Sequence, residues 1–153
     1  MKEIYSIILN LKYFCTCNEN RISTSCQISS AELRTINAIE SHKSITCSEL
    51  AEKIRLSPSR ISRITDNLAK RGYLSRQVKD HDRRTTFLYL TEKGEKMKDD
   101  INGKQKKFEQ LLTSKLSTQE IELIKIGLKK LENILVNNKK GDKNDRKNIS
   151  RSQ

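Results

Sequence analysis

One segment, residues 45–94, contains a series of helix-start and helix-end signals that few folds satisfy. Thr46 is followed three residues later by Glu49, which is the spacing of a capping box at the start of a helix. Further on, Ser57-Pro58 places a capping hydroxyl before a proline, which the first helical position tolerates because its missing N–H needs no partner there. The segment therefore predicts two short helices joined by a tight turn.

The second of these helices has a marked end and is followed by two strand-like runs. Residues 70–72 are two basic residues and a glycine, which suit the last turn of a helix and a left-handed C-cap. Residues 73–79 and 85–90 are rich in β-branched and aromatic side chains, and the polar residues 80–84 suit a hairpin tip. Two helices and a hairpin in this order form a winged helix-turn-helix. Its second helix fits the major groove of DNA, and its hairpin tip contacts phosphates and the minor groove.

Helices are also predicted on both sides of this segment. Two further capping boxes, Ser29/Glu32 and Ser117/Glu120, each start a helix. Apolar residues repeat at helical spacing near both ends of the chain, as Ile4, Ile7, Ile8 and Leu11 and as Ile121, Ile124, Leu128, Leu131 and Leu135. Each stripe needs a partner helix, either in the same chain or in a second subunit. The fold class is therefore mostly α with a small β-hairpin wing.

The chain has the length of one domain, and its last residues differ from the rest. After Asn137 the sequence is almost free of apolar residues and cannot offset the entropy lost on ordering. This predicts a basic disordered tail over residues 138–153. We assign residues 1–137 to a single domain whose winged core spans residues 44–94.

The net charge of +12 is concentrated in two stretches, which localises the contact with a polyanionic partner. Residues 55–84 contain nine Lys and Arg against three Asp and Glu, and residues 138–153 contain six against two. No apolar run approaches the roughly 18 residues of a membrane span. The first residues also lack the features of a secretion signal. We therefore expect a cytoplasmic protein with no membrane partner.

The helix that begins after Ser57 has two faces of different chemistry. One face carries the apolar residues that would dock it on its neighbours, Ile61, Ile64 and Leu68. The other carries short hydroxyls and charged groups, Ser59, Ser62, Arg63, Asp66 and Lys70. Arg is the commonest bidentate partner of guanine, and Ser can approach bases or phosphates closely. We expect this face to bind DNA, with Asp66 orienting Arg63 or a neighbour; the alternative is an ordinary solvated helix face.

The hairpin tip carries two adjacent arginines, Arg83 and Arg84, beside two aspartates. Exposed ion pairs contribute only about 0–1 kcal/mol to stability. An arginine in a narrow minor groove gains more, because the groove concentrates negative potential. We therefore predict that the tip arginines bind DNA and that Asp82 holds Arg84 in place. His81 either touches phosphate or fills a tolerant loop position.

The order and spacing of these motifs resemble the MarR family of bacterial transcription regulators. The resemblance covers about residues 29–136 and rests on the following motifs: Leu50-Ala51-Glu52, the helix start at 57–63, Arg71-Gly72-Tyr73-Leu74, Asp82-x-Arg84, Leu90-Thr91 and Glu92-Lys93-Gly94. It implies an obligate homodimer built from N- and C-terminal dimerisation helices, at residues 1–28 and 92–137, whose two winged lobes bind a pseudo-palindrome. It also implies that Arg84 enters the minor groove beside Asp82, and that the major groove is contacted by Ser59, Arg60, Ser62 and Arg63.

The four cysteines, at positions 15, 17, 26 and 47, leave several interpretations open. Cys15, Cys17 and Cys26 are candidates for a thiol switch or for a metal or iron–sulfur site. Neither histidine completes the ligand spacing of a zinc site. A reducing cytosol argues against a disulfide framework, and structural thiols are the simplest interpretation, with Cys47 as a small buried residue.

These observations predict a homodimeric, sequence-specific DNA-binding transcription regulator, a repressor that a small-molecule effector or thiol oxidation releases. Its expected partners are double-stranded DNA with a pseudo-palindromic operator and a second copy of the chain. The competing hypothesis is a thiol- or metal-dependent redox protein that uses Cys15, Cys17 and Cys26. Such an enzyme needs a base beside its nucleophile, and neither histidine lies in a recognisable catalytic setting. We therefore expect no enzymatic activity, no metal and no cofactor.

Overall fold

A computed structural model describes residues 2–79 and 82–149 of the chain, with side chains described for residues 3–78 and 85–137. It divides into two compact units, Met1–Phe108 and Glu109–Gln153. The described elements, in chain order, are α1 (Lys2–Ser25), α2 (Ser30–Ala38), β1 (Ile45–Thr46), α3 (Cys47–Ile54), α4 (Pro58–Lys70), β2 (Leu74–Lys79), β3 (Asp82–Leu90), α5 (Glu92–Thr113) and α6 (Thr118–Ile149). The predicted class, mostly α with a small β wing, is confirmed.

All three predicted capping boxes are formed, and each starts a helix. In α2 the Ser29 hydroxyl accepts from the Glu32 backbone N–H, and the Glu32 carboxylate accepts from the Ser29 N–H at 2.7 Å. The same reciprocal bonds join Thr46 to Glu49 before α3 and Ser117 to Glu120 before α6. These bonds satisfy backbone N–H groups that a helix start leaves without partners.

The turn between α3 and α4 depends on one residue in an uncommon conformation. Arg55 has φ of 56° in the left-handed region, and its N–H donates to the last turn of α3. Ser57 then caps α4, its hydroxyl accepting from the Arg60 N–H, and Pro58 occupies the first turn. The predicted pair of short helices with a tight turn is therefore confirmed.

The sheet contains one strand more than the predicted hairpin. Its order is β1-β3-β2, all antiparallel, with Ile45 opposite Leu88 and Thr46 opposite Phe87. β1 is only two residues long, too short for a recognisable alternation in the sequence. The hairpin also differs at its tip, because β3 already begins at Asp82, opposite Lys79, where the sequence predicted irregular structure.

The core lies where α2, α3, α4 and the sheet meet. Its largest side chains are fully buried and come from every one of these elements and from α5: Leu33, Ile36, Ile39, Leu50, Ile61, Leu68, Leu88 and Ile101. Burial of a side chain of this size stabilises a fold by about 1.5–3 kcal/mol. The apolar face predicted for α4 is confirmed, since Ile61 and Leu68 are in this set and Ile64 packs against it.

The start of α5 is joined to the start of β2 by a close backbone approach. Gly72 has φ of 78°, as its predicted C-cap role requires. Its carbonyl accepts from the Thr91 hydroxyl at 2.6 Å, and that hydroxyl also caps α5 at the Gly94 N–H. A Cβ placed on Gly94 would lie 2.1 Å from the Tyr73 carbonyl oxygen. Glycine is therefore needed at this position because of space.

The stripes near the two ends of the chain are largely exposed. Ile4 is 60% exposed and Ile7 56% in α1, and Leu128 is 51% exposed in α6.

α6 continues as helix to Ile149, beyond the boundary that the sequence placed at 138. Residues 138–149 combine good helix formers, Lys and Arg, with poor ones, Gly, Asn and Asp, and contain no proline that would break a helix. Disorder of residues 138–153 in solution stays a prediction. No helix within the described ranges combines the length and apolar character needed to cross a bilayer.

Candidate nucleic-acid interface

The four residues that the family resemblance places in the major groove lie on the outer side of α4. Ser59, Arg60, Ser62 and Arg63 are all exposed, whereas Ile61, Thr65 and Leu68 have no exposed surface. At 3.6 residues per turn, positions 59, 62 and 63 share one face and Arg60 lies on its flank. We call these four residues the reading face. The Ser59 hydroxyl lies 3.2 Å from the capping hydroxyl of Ser57, which ties the first turn together.

Asp66, on the same helix, is bound to a residue of the sheet. Its Oδ1 lies 2.5 Å from Nη2 of Arg76 in β2. The sequence predicted that Asp66 would orient Arg63 or a neighbour, and the structure identifies the neighbour as Arg76. Nothing in the sequence indicates this role of Arg76, because alternation places strand residues on a face but does not say which helix residue lies opposite.

A second arginine of the basic stretch also binds partners inside the fold. Nη1 of Arg71 lies 3.3 Å from Oε1 of Glu32, and its Nη2 donates to the Gln27 carbonyl at 2.7 Å. The Glu32 side chain is only 7% exposed and also accepts from Asn67 of α4 at 2.8 Å. The positive charge counted over residues 55–84 is therefore not all directed outward. Part of it holds α4 against the α1–α2 corner.

The predicted wing site lies outside the described side chains. Asp82, Arg83 and Arg84 are placed at the start of β3, and only their backbone is described. His81 is outside the described residues altogether. The contact of the tip arginines with DNA, and the orientation of Arg84 by Asp82, therefore stay predictions.

The cysteines are not brought together. Cys15 and Cys17 are exposed on α1, where residues two apart point to nearly opposite sides, and Cys26 is buried after the helix end. The helical rise places Cys15 and Cys26 roughly 15 Å apart, beyond the reach of a disulfide. The thiol of Cys26 donates to Asp100 at 3.4 Å, and Cys47 is half-buried against the core. Among the described residues no group of His, Cys, Asp or Glu could hold a metal ion.

Two side chains near these cysteines have shifted pKa values. A hydrogen bond with Cys17 raises the pKa of the Tyr13 phenol, and the charge of the same cysteine adds to this effect. A hydrogen bond from Lys104 lowers the pKa of the Asp100 carboxyl, and the bond from Cys26 acts in the same direction. Cys26 is therefore part of a local polar cluster, and its thiol is a hydrogen-bond donor within it.

A groove of about 510 Å³ opens beside α2, between α1, α3 and α5. We call it the corner groove, and its lining includes Glu19, Ile22, Leu33, Asn37, Ile54 and Arg55. Its volume is in the usual range for small-molecule sites. The Asn37 Oδ1 atom is buried and has no hydrogen-bond partner within the part of the chain that the structure describes. Apolar and charged side chains thus line the groove together, and the buried Asn37 oxygen is not exposed to it.

Comparison with known proteins identifies proteins that are similar to this chain in the region of the reading face. A model of the MarR family matches residues 28–86. The transcriptional repressor MprA of Escherichia coli K12 is 37% identical over 99 residues, which cover 65% of this chain and 56% of MprA. The chain thus matches little more than half the length of that relative.

Solved structures share the fold over more of the chain. FabT of Streptococcus pneumoniae, solved in complex with DNA, aligns with a TM-score of 0.79 at 23% identity and covers 89% of this chain and 97% of its own. A MarR family protein from Bacillus stearothermophilus aligns with a TM-score of 0.75 at 20% identity, covering 88% and 96%. These structures show that the chain has their fold, and the match of the family model shows that residues 28–86, which contain the reading face, are similar to the MarR family.

Proposed function

We propose that this chain is a transcription regulator that binds double-stranded DNA in a sequence-specific manner through the reading face. One observation carries the proposal: Ser59, Arg60, Ser62 and Arg63 are exposed on a helix whose opposite side is fully buried. A helix fixed in this way presents its side chains to the major groove at a defined angle. Arginine on such a face can bind guanine through two hydrogen bonds, and serine can donate to bases or phosphates.

In this proposal the wing supplies the second contact. Arg83 and Arg84 at the hairpin tip enter the minor groove, and Asp82 orients Arg84 by an ion pair. The excess of positive charge over residues 55–84 strengthens binding to any duplex, because neutralised phosphates release counterions. The names of the relatives support this assignment, since MprA is described as a transcriptional repressor and FabT was solved with DNA. We propose that this chain is likewise a repressor.

The proposed regulator is a homodimer that binds a pseudo-palindromic operator. The exposed stripes in α1 and α6 support this, because an extended apolar surface in water marks a site of protein contact. A twofold dimer repeats the same contacts on both half-sites of the DNA, so the symmetry of the site reflects the symmetry of the protein.

We propose that a small effector releases the DNA and binds in the corner groove, which has the volume of a small-molecule site. Thiol oxidation is the alternative trigger, for which Cys15 and Cys17 are accessible. The competing redox enzyme has little support, because Cys15, Cys17 and Cys26 form no cluster within the chain. The proposal includes no enzymatic activity.

Selection of bound fragments from random and genomic DNA tests the central claim. We expect enrichment of a single site with inverted half-sites one helical turn apart, and steeply weaker binding as salt increases. Binding that is equally strong to all duplexes, and that depends only on salt, would contradict sequence-specific recognition.

The trigger is tested separately on the selected site. DNA affinity is measured with oxidant, with reductant and for Cys15→Ser and Cys17→Ser. A loss of affinity on oxidation that both substitutions abolish would assign the thiols as the trigger. Unchanged affinity throughout would remove them and leave the corner groove as the proposed effector site.

A further inference from the structure

Arg76, in strand β2 of the wing, contacts α4 through a single guanidinium nitrogen. Its Nη2 donates to the Thr65 hydroxyl at 2.9 Å and lies 2.5 Å from the Asp66 carboxylate. Thr65 and Asp66 are adjacent on α4, and Arg76 is the third residue of β2. One side chain of the sheet therefore holds two neighbouring residues of the helix.

The helix side of this contact is anchored in the core. Thr65 has no exposed surface, and its hydroxyl lies 2.9 Å from the Ile61 carbonyl and 3.0 Å from that of Ser62. A hydroxyl has one proton to donate and can accept as well, so Thr65 donates to its own helix and accepts from Arg76. The contact thus lies one helical turn after Ser62 and Arg63 of the reading face.

The hairpin tip extends well beyond this contact. In the register of the sheet Arg76 lies opposite Leu88, and Arg84 precedes Leu88 by four residues. At the rise of a β-strand, this places the Arg84 backbone about 13 Å further along the hairpin. Rocking the hairpin by 10° about its base would therefore move the tip by roughly 2 Å. Hydrogen bonds lose most of their strength over a smaller displacement than this.

We propose that Arg76 and Asp66 form a positioning pair that sets the angle between the wing and α4, and so contributes to the choice of DNA sequence. This inference rests on the proposed function. Neither residue needs to touch DNA: Asp66 is repelled by phosphates, and the charge of Arg76 is balanced by Asp66. The pair acts by letting the reading face and the tip enter neighbouring grooves at the same time.

Charge and geometry predict opposite results for Asp66→Asn. If charge alone decides, removing a carboxylate near the phosphates strengthens binding to every duplex. If the pair positions the wing, binding to the preferred site weakens although the protein becomes more positive. Asp99→Asn is the matched control, because it makes the same change of charge at an exposed position of α5.

The experiment measures affinity for the selected operator and for a scrambled duplex of equal length. For Asp66→Asn we expect affinity for the operator to fall about tenfold, and affinity for the scrambled duplex to be unchanged or higher. Arg76→Lys keeps the charge but loses the planar guanidinium, so it should also weaken only operator binding. The control Asp99→Asn should not weaken operator binding. Thermal unfolding checks that each variant is folded. We expect this because the Arg76–Asp66 pair is partly exposed, so its loss should not unfold the lobe.

A double-mutant cycle with Arg84→Ala separates positioning from a merely structural role. The affinity lost with Arg84→Ala should be smaller in the Asp66→Asn background, because the tip is already displaced there. Equal losses in both backgrounds, or operator binding by Asp66→Asn as tight as that of Asp99→Asn, would overturn the positioning role and leave DNA recognition standing. A wild-type chain that does not distinguish the operator from the scrambled duplex would overturn the proposed function and this inference with it.

Discussion

Two regions of this chain have apolar stripes of similar spacing, and only one of them is covered. In the winged lobe, which we define as residues 29–91, Ile36, Ile39 and Leu68 have no exposed surface. In the outer helices α1 and α6, apolar residues of the same size are about half exposed, such as Ile7 at 56% and Leu128 at 51%. The periodicity in the sequence is alike in both regions, but the surroundings are not.

The difference separates apolar surface that this chain covers itself from apolar surface that it leaves exposed. The lobe buries its apolar surface among its own helices and sheet, so the hydrophobic effect stabilises it without a partner. α1 and α6 each leave several large apolar side chains exposed to water, and exposed apolar patches mark sites of protein contact. The comparison therefore supports the proposed homodimer and gives the following predictions.

Truncation of a buried side chain in the lobe should have the largest effect. Leu68→Ala removes a fully buried side chain of α4 and should lower the free energy of unfolding by about 2–5 kcal/mol. Leu123→Ala, at a position of α6 that is 69% exposed and off the stripe, should change it by no more than about 0.5 kcal/mol. Denaturant unfolding measures both, and equal effects would contradict the comparison.

A charge on the exposed stripe should separate the subunits. Leu128→Glu would bury an unpaired carboxylate in the proposed interface, which costs roughly 3 kcal/mol or more and therefore over a hundredfold in association. Sedimentation should then report a monomer, with operator binding lost. Lys130→Glu, on another side of α6, is the control and should remain dimeric. A Leu128→Glu variant that remains dimeric would show that the interface lies elsewhere.

Substitution of an arginine on the reading face or at the hairpin tip should affect binding without affecting stability. Arg63→Ala should cost about 1–3 kcal/mol of operator affinity, and Arg84→Ala a similar amount, with unchanged thermal unfolding. Lys106→Ala removes the same charge from an exposed position of α5 and should cost much less. Titration of labelled operator DNA checks this. If all three variants lose the same affinity, binding is governed by charge alone.

Acid should weaken the capping boxes of both regions by a small amount. Hydrogen bonds from the Thr46 backbone and hydroxyl lower the pKa of Glu49, and bonds from Ser117 lower that of Glu120. A lowered pKa in the folded state means that stability is present above the ordinary value of 4.5 and is lost as pH falls through the lowered one.

Thermal unfolding measured between pH 7 and pH 3 should show this loss of stability, because carboxyl groups titrate in this pH range. Glu49→Gln should lose less stability with acid than the wild type does, since its amide does not titrate. An identical pH profile for the variant would mean that the box does not contribute to the acid sensitivity.

Much of the lobe could be predicted because its signals are local. The capping boxes at Ser29 and Thr46, the N-cap at Ser57 and the glycine at 72 each act within one turn of their position. Local hydrogen bonds and backbone preferences are readable in a sequence. The buried and exposed faces of α4 follow from the helical period in the same way.

The features that escaped prediction depend on residues far apart in the chain. β1 is a strand only because β3 lies beside it, and Arg76 gained its role from Asp66 and Thr65, residues of another element. Arg71 was counted as surface charge, although it binds the buried carboxylate of Glu32. Spacing in one segment contains no information about the partner that another segment brings.

The contact at Gly94 has a consequence for how movement passes through the lobe. Because a Cβ there would overlap the Tyr73 carbonyl oxygen, the first turn of α5 rests on the peptide group that leads into β2. Side chains between packed elements usually absorb small shifts by changing rotamer, and none is interposed here. We therefore expect a displacement of this helix end to move the start of the hairpin directly, backbone against backbone.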